Sequence, residues 1–138
     1  MKILADTCIW SLALRRRPLA PLAPSQQQGL TALTEAIRNN RLAIFGPIRQ
    51  ELLSGIKDFK QFERVRAHLE RFPDEQLQTI DFEEAARNDN LCRSRGIACG
   101  PVDMLICAVA LQRRWPVLTL DQGLTRCLQA LGGAAFVR

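Results

Sequence analysis

The chain has 138 residues, 47% of them hydrophobic, which suits one domain of ordinary size and argues against wholesale disorder. Its formal net charge is +5, with sixteen Arg against three Lys (Lys2, Lys57, Lys60). Such a balance favours polyanionic partners without choosing among nucleic acid, acidic protein and anionic membrane. Arginine's planar fork leans toward phosphate, although a GC-rich genome enriches Arg with no functional cause. No apolar run is long enough to span a bilayer, and an acid at position 6 interrupts any signal-peptide core, so a soluble cytoplasmic protein with no membrane partner is expected.

Lys2 to Asp6 reads as a short buried strand ending in an acid. Helical spacing follows from Thr7 to Arg17, and the Pro/Ala/Leu stretch from Pro18 to Pro24 reads as a surface loop. Ser25 is the expected N-cap of a helix over Gln26 to Asn39. Arg41 to Phe45 is a second strand, and Pro47 sits in the first turn of a helix that stops near Gly55. Phe59 to Phe72 is amphipathic and closed by Pro73. Gln76 to Ile80 is read as a weak third strand, and a helix starting at Asp81 ends near Gly96. Gly100-Pro101 opens a very apolar helix over Val102 to Gln112. Pro116 to Leu120 is a strand, Asp121 begins a turn and helix, and Ala134 to Val137 closes the chain as a last strand. Alternating strands and helices, with no repeat and no linker, predict a single α/β domain over 1–138, a three-layer sandwich around a mostly parallel sheet.

Four acids stand out. Asp6 and Asp121 close strands, and ligands of open α/β sheets bind at the carboxyl ends of strands. Each also fits a helix N-cap, the commoner role for either taken singly. Asp103 is the one charge between Pro101 and Arg113, on a helix apolar enough to be buried. Burial of a lone carboxylate costs several kcal/mol, against about 0.3–1 kcal/mol returned by the helix dipole. Glu51 shares a helical face with Ile48, Leu52 and Gly55, or else lies exposed at the edge of that stripe. Carboxylates gathered in one pocket repel one another unless a cation lies between them, and an all-oxygen set suits Mg²⁺ or Mn²⁺. The five cysteines (Cys8, Cys92, Cys99, Cys107, Cys127) are odd in number and form no CxxC pair, so free thiols are expected.

Ile3-Leu-Ala-Asp6-Thr7-Cys-Ile-Trp10 is similar to the opening motif of PIN-domain toxins of the VapC type, and Gln50-Glu51-Leu-Leu-Ser-Gly55 to the second motif of that family, a resemblance that covers essentially the whole chain. Asp103-Met-Leu-Ile-Cys-Ala-Val-Ala110 resembles the third, and Leu118-Thr119-Leu-Asp121-Gln-Gly-Leu124 the fourth, in the family's order. The resemblance implies that Asp6, Glu51, Asp103 and Asp121 bind Mg²⁺ or Mn²⁺ and are catalytic. It implies that Thr7 and Thr119 assist them by hydrogen bonding, and that the chain is an endoribonuclease cleaving RNA by metal-activated water. It further implies a homodimer and a cognate antitoxin. Gly123 departs from the pattern, because many members carry a further Asp there, and Pro47 replaces a frequent Thr or Ser. Two rival readings stand beside the toxin: a PIN-type RNA-processing nuclease without an antitoxin, and a non-catalytic binding module.

Arg15-Arg16-Arg17 and Arg113-Arg114 are read as compensation of helix dipoles or as contacts to an RNA backbone. Trp10 and Trp115 are expected in the core or an interface, His68 on the surface, and the Phe59/Phe62 helix against either the core or a partner.

Overall fold

The computed structural model describes residues 1–15, 21–133 and 135–136. Strand β1 (Ile3–Ala5) is followed by helices α1 (Thr7–Leu14) and α2 (Pro24–Arg38), then β2 (Leu42–Ala43). Next come α3 (Gly46–Leu53), α4 (Phe59–Leu69), α5 (Thr79–Ser94) and α6 (Pro101–Arg113). Strand β3 (Val117–Leu118), α7 (Gln122–Ala130) and β4 (Ala135–Phe136) complete the order. The four strands form one parallel sheet in the order β2-β1-β3-β4. Leu4 pairs with Ala43 on one side and Val117 on the other, so β1 is interior. All three β1 residues are buried, as an interior parallel strand covered on both faces requires.

This order defines a switch point. From β1 the chain moves to one side to form β2, then returns past β1 to form β3 and β4 on the other. Beyond the carboxyl ends of β1 and β3 lies the crevice where parallel α/β sheets place their ligands. The core beneath it includes Leu4, Ile9, Trp10, Phe45, Ile48, Leu52, Ile106, Leu118, Leu124 and Leu128, all at most 2% exposed. Trp10 is a core residue, with its ring edge-on to Phe72 at 5.1 Å between centroids.

The α/β class and parallel sheet agree with the sequence expectation; several local readings do not. Residues 76–80 form no strand, because α5 already starts at Thr79. The Asp81 carboxylate accepts the Gln78 N–H at 2.8 Å and closes the helix there, while the one nearby sheet contact is a bridge of Ile44 to Asp74. Ser25 is not an N-cap. Ala23 holds that position, Pro24 is the first helical residue, and the Gln26 side chain accepts the Ala23 N–H at 2.9 Å. Helix α4 stops at Leu69, where Phe72 N–H turns back to the Leu69 carbonyl. The Arg49 guanidinium also caps this end, donating to the Leu69 and Phe72 carbonyls and to Asp74. The expectations for Arg16, Arg17, Pro18 to Ala20, Ala134 and Val137 lie outside the described residues.

The cysteine expectation needs a larger correction. Cys99 and Cys127 form a disulfide, leaving Cys8, Cys92 and Cys107 as thiols. Their sequence separation of 28 carries no signal of this. The fold brings the segment before α6 against α7, and only that packing pairs them.

Candidate metal centre

Asp6 follows β1 directly and is 3% exposed. It is also the N-cap of α1, so the cap reading and the site reading apply to one carboxylate. Its Oδ1 accepts the Ile9 N–H at 3.3 Å and the Cys8 thiol at 2.8 Å, and its Oδ2 accepts the Thr119 hydroxyl. A carboxylate offers about four lone-pair directions, so Oδ2 keeps one for a further partner. Burial pushes the Asp6 carboxyl up, the donors from Cys8, Thr119 and Ile9 oppose it, and the charge of Asp121 adds to the rise. Burial and the neighbouring Asp6 charge push the Cys8 thiol up to about 12, so it is a neutral donor.

Asp121 caps α7 in the same manner, its Oδ1 accepting from the Gly123 and Leu124 amides at 2.8 and 3.3 Å. Among the described residues its Oδ2 has no donor, and Asp121 is exposed. Thr119, fully buried at the end of β3, joins the two acids: it donates to Asp6 and accepts the Asp121 N–H at 2.9 Å. A cap on each side of a switch point thus becomes a pair of carboxylates locked by one hydroxyl.

Asp103 lies in the first turn of α6 and is half-buried rather than buried as expected, because the deep face of the helix belongs to Met104 and Ile106 to Ala110. It accepts no hydrogen bond among the described residues. Burial, then the charges of Asp121, Asp6 and Glu51, push its carboxyl up to about 6. Of the two readings open for Glu51, the structure shows the exposed one. Ile48 and Leu52 take the core face of the short α3, and Glu51, one step round, is exposed.

The fold nevertheless brings all four acids to one cleft of about 320 Å³ at the carboxyl ends of β1 and β3, with Thr7, Cys8 and Gly100 in its walls. No three of them are close enough to form a ready-made metal cage among the described residues. The donor chemistry fits a hard divalent ion: oxygen atoms only, with spare lone pairs on Asp6, Asp103 and Asp121. Thr7 adds a second observation: it lines the cleft, and its buried Oγ1 has no hydrogen-bond partner among the described residues. A larger groove of about 750 Å³ adjoins the cleft, sharing Cys8, Ser11 and Asp121, and it extends past Arg15 to Gln26 and Gln61.

Gly123 has a local reason. A Cβ there would lie 3.1 Å from Asp121 Oδ1, so a side chain would press on the carboxylate its own N–H supports.

Sequence reasoning missed two residues. Cys8 reads as a plain thiol yet holds Asp6 in place. Asp81, read only as a helix start, is 2% exposed and paired with Arg113 at 3.0 Å. Burial pushes its carboxyl up, but the Arg113 hydrogen bonds and the Gln78 amide outweigh that and hold it below the usual range. The pair joins α5 to α6 and is distant in sequence, so no local pattern marks it. Arg113 also stacks near Trp115, 5.6 Å from its ring centre, which places Trp115 beside charged partners at the far end of α6. Phe59 is exposed and Phe62 packs against the core, which divides the two readings of that helix between them.

The PIN domain family profile matches residues 3–127, and the chain belongs to this family. PIN domains are in general nucleases that depend on divalent metal. Among solved structures, the chain is similar to FitAcB from Neisseria gonorrhoeae, with a TM-score of 0.72 and 20% identity over 97% of this chain and 96% of that one. It is also similar to VapBC2 from Rickettsia felis, bound to a DNA fragment from their promoter, with a TM-score of 0.69 and 20% identity over 92% of this chain and 93% of that one. No curated protein matches the sequence.

Proposed function

We propose that this chain is a Mg²⁺- or Mn²⁺-dependent endoribonuclease and the toxin of a type II toxin–antitoxin pair of the VapC kind. The observation that carries the reading is the meeting of Asp6, Glu51, Asp103 and Asp121, from four separate segments, in one cleft at the switch point of the sheet. Asp6, Asp103 and Asp121 hold the ion, and Glu51 completes its surroundings. When bound, the ion supplies Lewis acidity toward a phosphate oxygen and lowers the pKa of a water, the chemistry of phosphodiester hydrolysis to a 5′-phosphate and a 3′-hydroxyl.

The chain's own residues set the stage. Thr119 and Cys8 fix the Asp6 carboxylate by hydrogen bonds, so its remaining lone pair keeps one direction. Thr7 lines the cleft, and its buried hydroxyl, without a partner among the described residues, is a further oxygen close to the acids. Arg15, in the wall of the adjoining groove, supplies positive charge for the backbone of an RNA strand entering from that side. The partner reading is supported by the VapC-type motifs and by the likeness in fold to VapBC2. A homodimer in the cytoplasm belongs to the same reading, and no helix among the described residues is long and apolar enough to cross a membrane.

The test is cleavage of a mixed RNA pool by the purified chain with Mg²⁺ or Mn²⁺, then with EDTA, beside Asp6→Asn and Asp103→Asn. Cleavage that requires the ion and disappears in both variants is expected. Undiminished cleavage by either variant, or in EDTA, would overturn the mechanism.

A further inference from the structure

The Cys99–Cys127 disulfide lies outside the acid cleft, but each of its ends belongs to a segment that carries a cleft residue. Cys99 precedes Gly100, which lines the cleft and is the N-cap of α6, with Asp103 in the first turn of that helix. Cys127 is on α7, the helix that Asp121 caps. The bond therefore joins the element carrying Asp103 to the element carrying Asp121, and Cys99 Sγ also lies 3.7 Å from the carbonyl of Gly123, beside the Asp121 cap. These two carboxylates line one cleft, and like charges there repel each other. The covalent tie holds together two walls that this repulsion pushes apart.

We infer that Cys99 and Cys127 are positioning residues for the metal centre, and that reduction of their disulfide weakens metal binding by letting the Asp103 and Asp121 walls separate. This rests on the proposed metal-dependent function. Groups that must meet on one small ion tolerate little relative movement of the elements that carry them.

The bond is also open to attack from one side. Cys127 is fully buried, whereas Cys99 is half-buried and lines a separate groove between α5 and α6. A dithiol reductant is the co-reactant. One of its thiolates attacks Cys99 Sγ, the S–S bond breaks, and the electron pair leaves on Cys127 Sγ, which takes up a proton. The second thiolate of the reductant then attacks its own sulfur in the mixed disulfide and releases Cys99 as a thiolate, which is protonated in turn. Two electrons and two protons pass to the protein, and the reductant ends as an internal disulfide.

The experiment uses the full chain with Mn²⁺ alone as the probe. Intact mass and thiol counting first establish the oxidised form, with three free thiols, and the reduced form, with five. Mn²⁺ affinity is then measured by titration calorimetry at 20 °C for the oxidised form, the dithiol-reduced form freed of reductant without air, and the variants Cys127→Ala and Cys127→Ser. Far-UV circular dichroism confirms that each is folded, and a second alanine variant, Cys99→Ala, keeps the buried α7 position intact should both Cys127 variants unfold. Roughly tenfold weaker Mn²⁺ binding by the reduced form and the variants is expected, the scale seen when groups supporting metal ligands are lost, with recovery on reoxidation of the wild type. A merely structural bond would lower the melting temperature and leave the affinity of the folded protein unchanged, which would overturn the inference. Five free thiols after air oxidation would overturn it as well. No Mn²⁺ uptake by the oxidised form would instead defeat the metal reading of the cleft, and this inference with it.

Discussion

Asp103 offers the sharpest test, because the same feature that suits it to a metal makes it a burden on the metal-free fold. Its carboxyl is pushed from the ordinary 3.8 to about 6 by burial and then by Asp121, Asp6 and Glu51. A tenfold change in an ionisation constant is about 1.4 kcal/mol, so the full penalty is about 3 kcal/mol, and partial exposure brings it to about 1–3 kcal/mol. The sign follows from linkage. The folded state binds this proton more tightly than the unfolded chain, so the stability it contributes is fully present below pH 3.8. It is lost as the pH rises to about 6, and above that the penalty is constant. Asp103→Asn removes the charge at nearly the same volume. In EDTA the variant should therefore melt several degrees higher than wild type at pH 8, by up to about 10 °C, with the difference shrinking toward pH 4. Added Mn²⁺ should reverse the order, raising the melting temperature of wild type and not that of the variant. Differential scanning calorimetry at pH 4, 6 and 8, with and without Mn²⁺, reads both effects. A variant less stable than wild type at pH 8 in EDTA would show that Asp103 is held by favourable contacts, and the argument from repulsion would be wrong.

Other perturbations probe the parts separately. Thr119→Val removes the hydroxyl that donates to Asp6 and accepts from Asp121; a loss of about 1–3 kcal/mol in urea unfolding is expected, together with weaker Mn²⁺ binding. Arg113→Ala removes the ion partner of Asp81, leaving it the Gln78 amide and the Gln112 side chain, and should cost about 1–3 kcal/mol, read from the same unfolding curves, while sparing Mn²⁺ affinity. Reduction of Cys99–Cys127 frees a loop of about 28 residues and should lower stability by about 3–4 kcal/mol on the loop-entropy scale, a melting shift that calorimetry detects. Gly123→Asp should bind Mn²⁺ no more tightly than wild type, because the new Cβ presses on Asp121 Oδ1; tighter binding by calorimetry would refute that account of the glycine.

Local patterns in the sequence carry the α/β class, the apolar strand before Asp6, the strand before Asp121, and the apolar α6 with its single acid. Each depends on neighbours a few residues apart, and hydrophobic periodicity and proline or glycine punctuation report those directly. The same patterns mark all four acids of the cleft, although not what each would touch. Tertiary structure alone decided that Asp6 and Asp121 are caps and cleft residues at once, because only the adjacency of β1 and β3 sets Thr119 between them. It decided that Glu51 is exposed, since the depth of a two-turn helix depends on what packs against it. It removed the strand expected over 76–80, where no ladder was available and the Asp81 carboxylate closed a helix instead. The Arg113–Asp81 pair and the Cys99–Cys127 bond likewise join residues far apart along the chain. Contacts of that kind depend on how whole elements dock, and spacing along a single sequence holds no record of it.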